Sequence, residues 1–461
     1  MYAARIALLG IVAALGLGAT AVLADVTIKL KDGTTIIVPI DAEQVESVSV
    51  GDGAPQAAKP RQNKPPEDTR KPRKRSKAYR QAPLPKEGTA TAAETFGLPG
   101  ASPFIEGAFG GGEGLGRTIT VGPMGDYKVP SAAARQVGNR DVIEIEPGLY
   151  VDDYATWDAN NLTIHSSDPD RRVHLRSTKN APNGKAIWVI SGKNITIEGI
   201  EFSGARSSSR NGAGIRHQAG KLTVRNSYFH HNESGILVAN IADTELVVED
   251  SEFSYRRYQN PRAHAIYMGN GKSLVVRNSY FHHNDIGHHI KSRAAATTLI
   301  NNRIIDGDGG SSYLVDMSNC GKSRLIGNVF QQGEHAENTN MISYGAEGCE
   351  ETVEDLILVH NTLVKDRGRG TFLLNRSNEK AVLANNLMVG RGNAWDGLVD
   401  DRGNLKLNNH AFVDRKNWDY HLVAGSAAVN AGKTASLEGL PAPEGRHFVG
   451  RPDMGAYELS Q

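Results

Sequence analysis

Beyond the first 24 residues the chain has no long apolar run, so no later stretch is apolar enough to span a bilayer. Excess charge of either sign is missing as well. The 52 Lys and Arg against 51 Asp and Glu leave a formal net charge of +1, which removes the whole-molecule case for a nucleic-acid partner and leaves electrostatic recognition to local clusters. Cysteine occurs only twice and forms no CxxC pair, and neither a Gly-rich phosphate motif nor a nucleophile elbow is present. The body of the chain lacks a 3.6-residue amphipathic pattern, which argues against leucine-rich horseshoes and doubly wound sheets. Aromatics are 6% of residues while glycines number 50, a balance that fits many short strands separated by turns.

What is present begins with a targeting segment. Arg5 supplies a positive start, residues 7–24 are apolar and small, and Val22-Leu23-Ala24 suits signal-peptidase cleavage. The expectation is a signal peptide over 1–24 and a secreted or periplasmic protein. Residues 25–50 alternate apolar and polar about Lys31-Asp32-Gly33, which predicts a small β element. From 51 to 117 Pro, Gly, Ala and charge take over, with eleven Lys or Arg between Lys59 and Lys86. Such a composition cannot bury enough apolar surface to order itself, so a disordered linker is expected. It is either a solvated spacer or a tether to an anionic envelope polymer.

The main pattern follows. A short apolar strand, then Asn or Asp, then an aromatic or aliphatic anchor recurs as ITIEGIEF, LTVRNSYF, LVVEDSEF and LVVRNSYF, and more loosely as TLINNRII, RLIGNVF, LVHNTL and LANNLM. The anchors are Phe202, Phe229, Phe253, Phe281, Ile304, Phe330, Leu363 and Met388, separated by 23 to 33 residues. Strand repeats of that period predict a solenoid with one coil per repeat, and the Asn-rich corners suit left-handed turns with stacked side-chain amides. Over roughly 140–413 these repeats resemble the right-handed parallel β-helix proteins of the pectate-lyase-like superfamily. The resemblance implies an all-β fold, a single-stranded parallel β-helix over 118–413. The segment 414–461 resembles the tail that follows such helices and is expected to cap an end of the solenoid.

Equivalent residues of successive coils stack roughly 4.8 Å apart, so rows of side chains can be read from the sequence. A second strand in each coil aligns as GIRHQ, GILVA, AIYMG, HIKSR, LVDMS, MISYG, LLNRS and GLVDD. With Ile215, Ile236, Ile266, Ile290, Val315, Ile342, Leu374 and Leu398 inward, the outward row becomes Arg216, Leu237, Tyr267, Lys291, Asp316, Ser343, Asn375 and Val399. A second outward row contains Arg293, Ser318 and Asp401. Elimination across a uronic-acid linkage requires cations to neutralise the carboxylate, a base for the adjacent proton and an acid for the leaving oxygen. Lys291, Arg293, Tyr267 and His289 are the candidate catalytic residues. Arg216, Asp316, Ser318, Arg376, His264 and His288 are candidates for binding the sugar.

The predicted partner is therefore an acidic, uronate-containing polysaccharide, and the predicted reaction is β-elimination. HHIKSR is similar to the Lys-then-Arg chemistry of β-helix lyases, although no complete motif of one family is present. A uronan C5-epimerase would share the proton abstraction, and a non-catalytic carbohydrate-binding or envelope-structural β-helix is the reading from another class. Hydrolysis fits less well. Asp401 stands three coils from Asp316, roughly 14 Å, beyond the usual carboxylate separation, and Glu347 is the nearer partner. No metal or other cofactor is assigned; IDGDGG at 305–310 resembles a calcium loop only in its Asp-Gly run. The pairs His230-His231 and His282-His283 are expected to stack at a corner. Cys320 and Cys349 are 29 residues apart, close to one coil, which predicts a disulfide between adjacent coils. A monomer is expected.

Overall fold

The computed structural model describes residues 24–29, 35–40, 116–255, 263–349, 353–408, 411–441 and 450–459. The expected signal peptide and basic linker lie outside the described residues, save for the boundary residues of each. The chain divides into two compact units, residues 1–82 and 83–461. In the first, Ala24–Lys29 and Thr35–Ile40 pair antiparallel, with Val26 opposite Val38.

The second unit is built from three parallel sheets of twelve, eleven and ten strands, visited in turn. One coil runs through Ile195–Glu198, Ile200–Ser203 and Ala213–His217 before the next begins at Lys221–Arg225. Parallel strands joined by such crossovers wind right-handed, so the molecule is a right-handed parallel β-helix. The turn between the twelve- and eleven-stranded sheets is a single left-handed corner in coil after coil: Asn226, Asp250, Asn278, Asn301, His360 and Asn385 all have φ between 41° and 53°. Asn and Asp tolerate that conformation better than other side chains. Just after the corner, Asn302, Asn328, Asn361, Asn386 and Asn404 form an amide ladder, each Nδ2 donating to the next Oδ1 at 2.8–2.9 Å.

The interior is one continuous apolar column. All eight repeat anchors lie in register, from Phe202 opposite Phe229 through to Leu363 opposite Met388. Phe202, Phe229, Phe253 and Phe281 stack with centroids 4.6–5.0 Å apart and nearly parallel planes. Each buried ring contributes on the order of 2–3 kcal/mol from area alone.

The ten-stranded sheet departs from the expected alignment at its last two coils. Ile342 stands opposite Leu373, not Leu374, and Leu373 opposite Trp395, not Leu398. Leu374 and Asp396 therefore take the outward places expected for Asn375 and Val399. The strand Val399–Arg402, with Asp401, belongs to the twelve-stranded sheet. Phe372-Leu373-Leu374 is apolar throughout, so hydrophobicity did not distinguish a one-residue slip.

The tail also sits differently from expectation. Phe412–Asp414 and Asp419–Leu422 pair antiparallel. Their residues, with Met454, Ala456 and Tyr457, cover Tyr280, Ile305, Val329, Val364, Leu387 and Val389. It lies along the outer face of the eleven-stranded sheet instead of over an end, because that face carries apolar residues in its later coils. Arg303 fastens it by donating to the Tyr457 hydroxyl and the Trp418 carbonyl.

Candidate functional site on the ten-stranded sheet

Consecutive strands Ile266–Met268, Ile290–Ser292 and Val315–Met317 place Tyr267, Lys291 and Asp316 opposite one another on the outer face. Alternation turns Ile266, Ile290 and Val315 into the core, where all three are fully buried. The Lys291 ammonium donates to Asp316 Oδ2 at 3.0 Å and to Glu347 Oε1 at 2.6 Å. Arg293 reaches the other oxygen of Glu347 at 2.5 Å and donates to Asn319 Oδ1 at 2.8 Å. Glu347 is thus bridged by two cations. Although partial burial works the other way, the hydrogen bond and charge of Lys291, with Arg293, hold its carboxyl below the usual carboxylate range. Burial likewise opposes charge on Arg293, and Tyr267 and Glu347 overcome it, holding the guanidinium above its ordinary value.

Asp316 anchors the strip from beneath. Its side chain is only 4% exposed, and Oδ2 accepts from Lys291 and from the Ser318 hydroxyl at 2.8 Å, with His288 Nε2 at 3.6 Å. Oδ1 is buried with no hydrogen-bond partner among the described residues. His264 and His288 stack with centroids 4.9 Å apart. Each accepts a backbone N–H at Nδ1, from His288 and Tyr313 respectively. A ring nitrogen that accepts there carries its proton on Nε2 when neutral, so both histidines present N–H donors.

Two coils before Tyr267, Arg216 shares the face. Burial pulls its guanidinium below the ordinary value, against the charge of Tyr267, and its Nε is buried without a hydrogen-bond partner among the described residues.

Two expected site residues stand elsewhere. His289 is fully buried, with Nδ1 2.7 Å from the Asn284 amide and Nε2 2.9 Å from Asp306 Oδ1, so it cannot touch a polymer on the outer face. The strand starts only at Ile290, and His289 belongs to the preceding turn, which tucks inward. Arg376 is two coils beyond Ser318 and pairs with Asp396 at 2.9 Å, outside the Lys291 cluster. The calcium-loop reading of 305–310 loses its first carboxylate too. Asp306 faces the interior and accepts from Ser311 and the Gly333 N–H as well as meeting His289.

Glu347, which the sequence offered only as a carboxylate partner for Asp316, and Asn319, which it did not assign, complete the cluster. Both lie in turns, and both are positioned by the expected disulfide, which joins Cys320 to Cys349 with Cα atoms 5.3 Å apart. Gly345 packs against both sulfurs at φ +77°; a Cβ there would stand 2.7 Å from each, so only glycine fits. A cleft between the tail and the turns that follow the eleven-stranded sheet, lined by Asp308, Glu334, Asp366, Arg415 and Trp418, shares no residue with this strip.

No protein-family model matches the chain, and no curated protein matches it either. Among solved structures it is similar to the pectate lyase Pel9A at 15% identity and a TM-score of 0.55, covering 76% of this chain and 98% of that one. Weaker likenesses are a tailspike protein of E. coli bacteriophage HK620 (13% identity, 66% and 58% covered, TM-score 0.38) and a pectin methylesterase from Aspergillus niger (13%, 70% and 94%, TM-score 0.31). At such identities the likeness to Pel9A establishes the β-helix fold and nothing finer.

Proposed function

We propose that the outer face around Lys291 binds an acidic, uronate-containing polysaccharide and cleaves it by β-elimination. The observation that carries this is the bridging of one carboxylate, that of Glu347, by Lys291 and Arg293 together. A uronate carboxylate entering in its place is paired by Arg293, which neutralises it and acidifies the proton beside it. Lys291 Nζ takes that proton, the electron pair forms the ring double bond, and the bond to the leaving oxygen breaks as Tyr267 supplies its proton. Only the neutral amine can take that proton, so release of Lys291 from Glu347 and loss of its ammonium proton to solvent precede the chemistry. Arg216 and the Nε2–H groups of His264 and His288 hold neighbouring sugar units, and Asp316 with Ser318 orients Lys291.

Export belongs to the same proposal. The apolar start ending in Val22-Leu23-Ala24 and the Cys320–Cys349 disulfide both fit an oxidising compartment.

The test is ultraviolet absorbance of the conjugated unsaturated uronate during incubation with a panel of uronate polymers. The expected result is a rise that falls at least about 100-fold in Lys291→Ala and Arg293→Ala, and that Glu347→Gln preserves or increases. Elimination undiminished in Lys291→Ala would overturn the assignment. The double ion pairing of Lys291 also favours a second reading, recognition of the polymer without cleavage. Saturable binding with neither absorbance nor exchange of the ring proton by NMR would establish it, and exchange without absorbance would mark an epimerase.

A further inference from the structure

We infer that His174, Glu201 and His230 form a binding site for one borderline divalent transition-metal ion of the zinc type. The site is on the outer face of the eleven-stranded sheet, apart from the Lys291 strip. Sheet register brings it together: His174 is opposite Glu201, and Ser203, two residues on, is opposite His230. Nε2 of His230 is 2.9 Å and Nε2 of His174 3.3 Å from the same oxygen, Glu201 Oε1, and one ligand atom from each residue lies within 4.8 Å of the others. Tetrahedral zinc with bonds of about 2.0–2.1 Å places its ligand atoms roughly 3.3 Å apart, close to the two distances from Glu201.

The donor set selects the class of ion. Two imidazole nitrogens and one carboxylate oxygen suit zinc and its neighbours, whereas calcium and magnesium require shells dominated by oxygen. Outer contacts fit as well. His230 Nδ1 is 2.7 Å from His231 Nδ1, so His230 with Nε2 on an ion donates its Nδ1 proton to His231, the usual support for a ligating imidazole. The Ser203 hydroxyl, 2.7 Å from His174 Nε2, is the hydrogen-bond partner that an ion would replace. His230 is 2% exposed at its side chain, while His174 and Glu201 are about one quarter exposed, so an ion has a way in from solvent. Although burial opposes it, the hydrogen bond from His230 and the charges of both histidines and Arg172 hold the Glu201 carboxyl below its usual range.

The repeat itself supplies the control. Two coils on, His282 Nε2 is again 2.9 Å from a glutamate, Glu252, and His282 Nδ1 is 2.6 Å from His283 Nδ1. There the place of His174 is taken by Tyr228, in the same row directly before Glu252. The Glu–His pair is therefore a feature of the repeat, and His174 is what turns one copy into a three-ligand site. A bound ion would clamp three successive coils and raise their stability by mass action.

The experiment is calorimetric titration of the purified full-length chain with zinc chloride, beside the visible spectrum with cobalt(II). Wild type is expected to bind one equivalent in the micromolar range or tighter, to melt at higher temperature with zinc, and to give the intense bands of low-coordinate cobalt. His174→Gln and Glu201→Gln, at partly exposed positions, are expected to weaken binding at least roughly tenfold, and His282→Gln to leave it unchanged. Absence of saturable zinc binding, or binding that both variants leave intact, or a loss in His282→Gln equal to theirs, would overturn the site.

Discussion

His288 and His289 are neighbours with opposite fates, one stacked on the outer face and one locked inside against Asp306. At this scale the sequence shows which side chains are present, and a half-turn of backbone decides what each can touch. His217 makes the same point through stability. It is fully buried, and burial pushes its imidazole from 6.5 down to about 4, against the backbone carbonyl of Gly220 that favours the proton. The native state therefore holds it neutral while the unfolded chain protonates it first as pH falls. Stability is fully present above the unfolded value and is lost as pH drops towards the folded one, a change of about 3 kcal/mol across that window. Urea denaturation at a series of pH values should show this slope in wild type and a flatter one in His217→Leu.

Among the elements, the corner ladder carries much of the definition of the coil. Asn328 donates to Leu299 O and Asn361 Oδ1, and its Oδ1 accepts from both the backbone and the side chain of Asn302. Asn328→Ala strands several of these buried groups at once. The expected loss is roughly 2–4 kcal/mol, measured by urea or thermal unfolding, with the β-sheet circular dichroism of the folded state retained. The ladder was legible as Asn at a fixed offset from each apolar strand, because only a few side chains suit a left-handed corner followed by an amide stack. The last two coils of the ten-stranded sheet were not legible, since Phe372-Leu373-Leu374 offers no polar residue to fix the register.

The second unit, taken whole, is a stack in which each coil is covered by its neighbours and one side by the tail. Tyr280, Ile305, Val329, Val364, Leu387 and Val389 point away from the central column and are buried only because residues beyond 410 lie over them. A chain ending after Asn408 would present this face to water. Each aliphatic side chain so uncovered costs on the order of 1.5–3 kcal/mol, so the truncated protein is expected to bind a hydrophobic dye strongly and to melt lower or precipitate. A melting temperature equal to that of the full chain, without dye binding, would show that the tail is dispensable. The tail was legible as a segment but not its place, because a pattern of small and aromatic residues does not say which outer face is apolar enough to receive it.

The sequence by itself determined the coil: the repeat length, the inward anchors, the polar corners and the pairing of Cys320 with Cys349 all follow from local patterns that repeat once per turn. It also brought Tyr267, Lys291, Arg293, Asp316 and Ser318 to one face, since strand alternation and coil stacking are regular enough to count. Tertiary structure alone decided that Glu347 bridges Lys291 and Arg293, that His289 turns inward, and that His174 meets Glu201 and His230. The first two depend on turns and on side chains up to 56 residues apart in sequence, where no period constrains the chain and only packing selects the conformation, and the third on strand register carried across three coils.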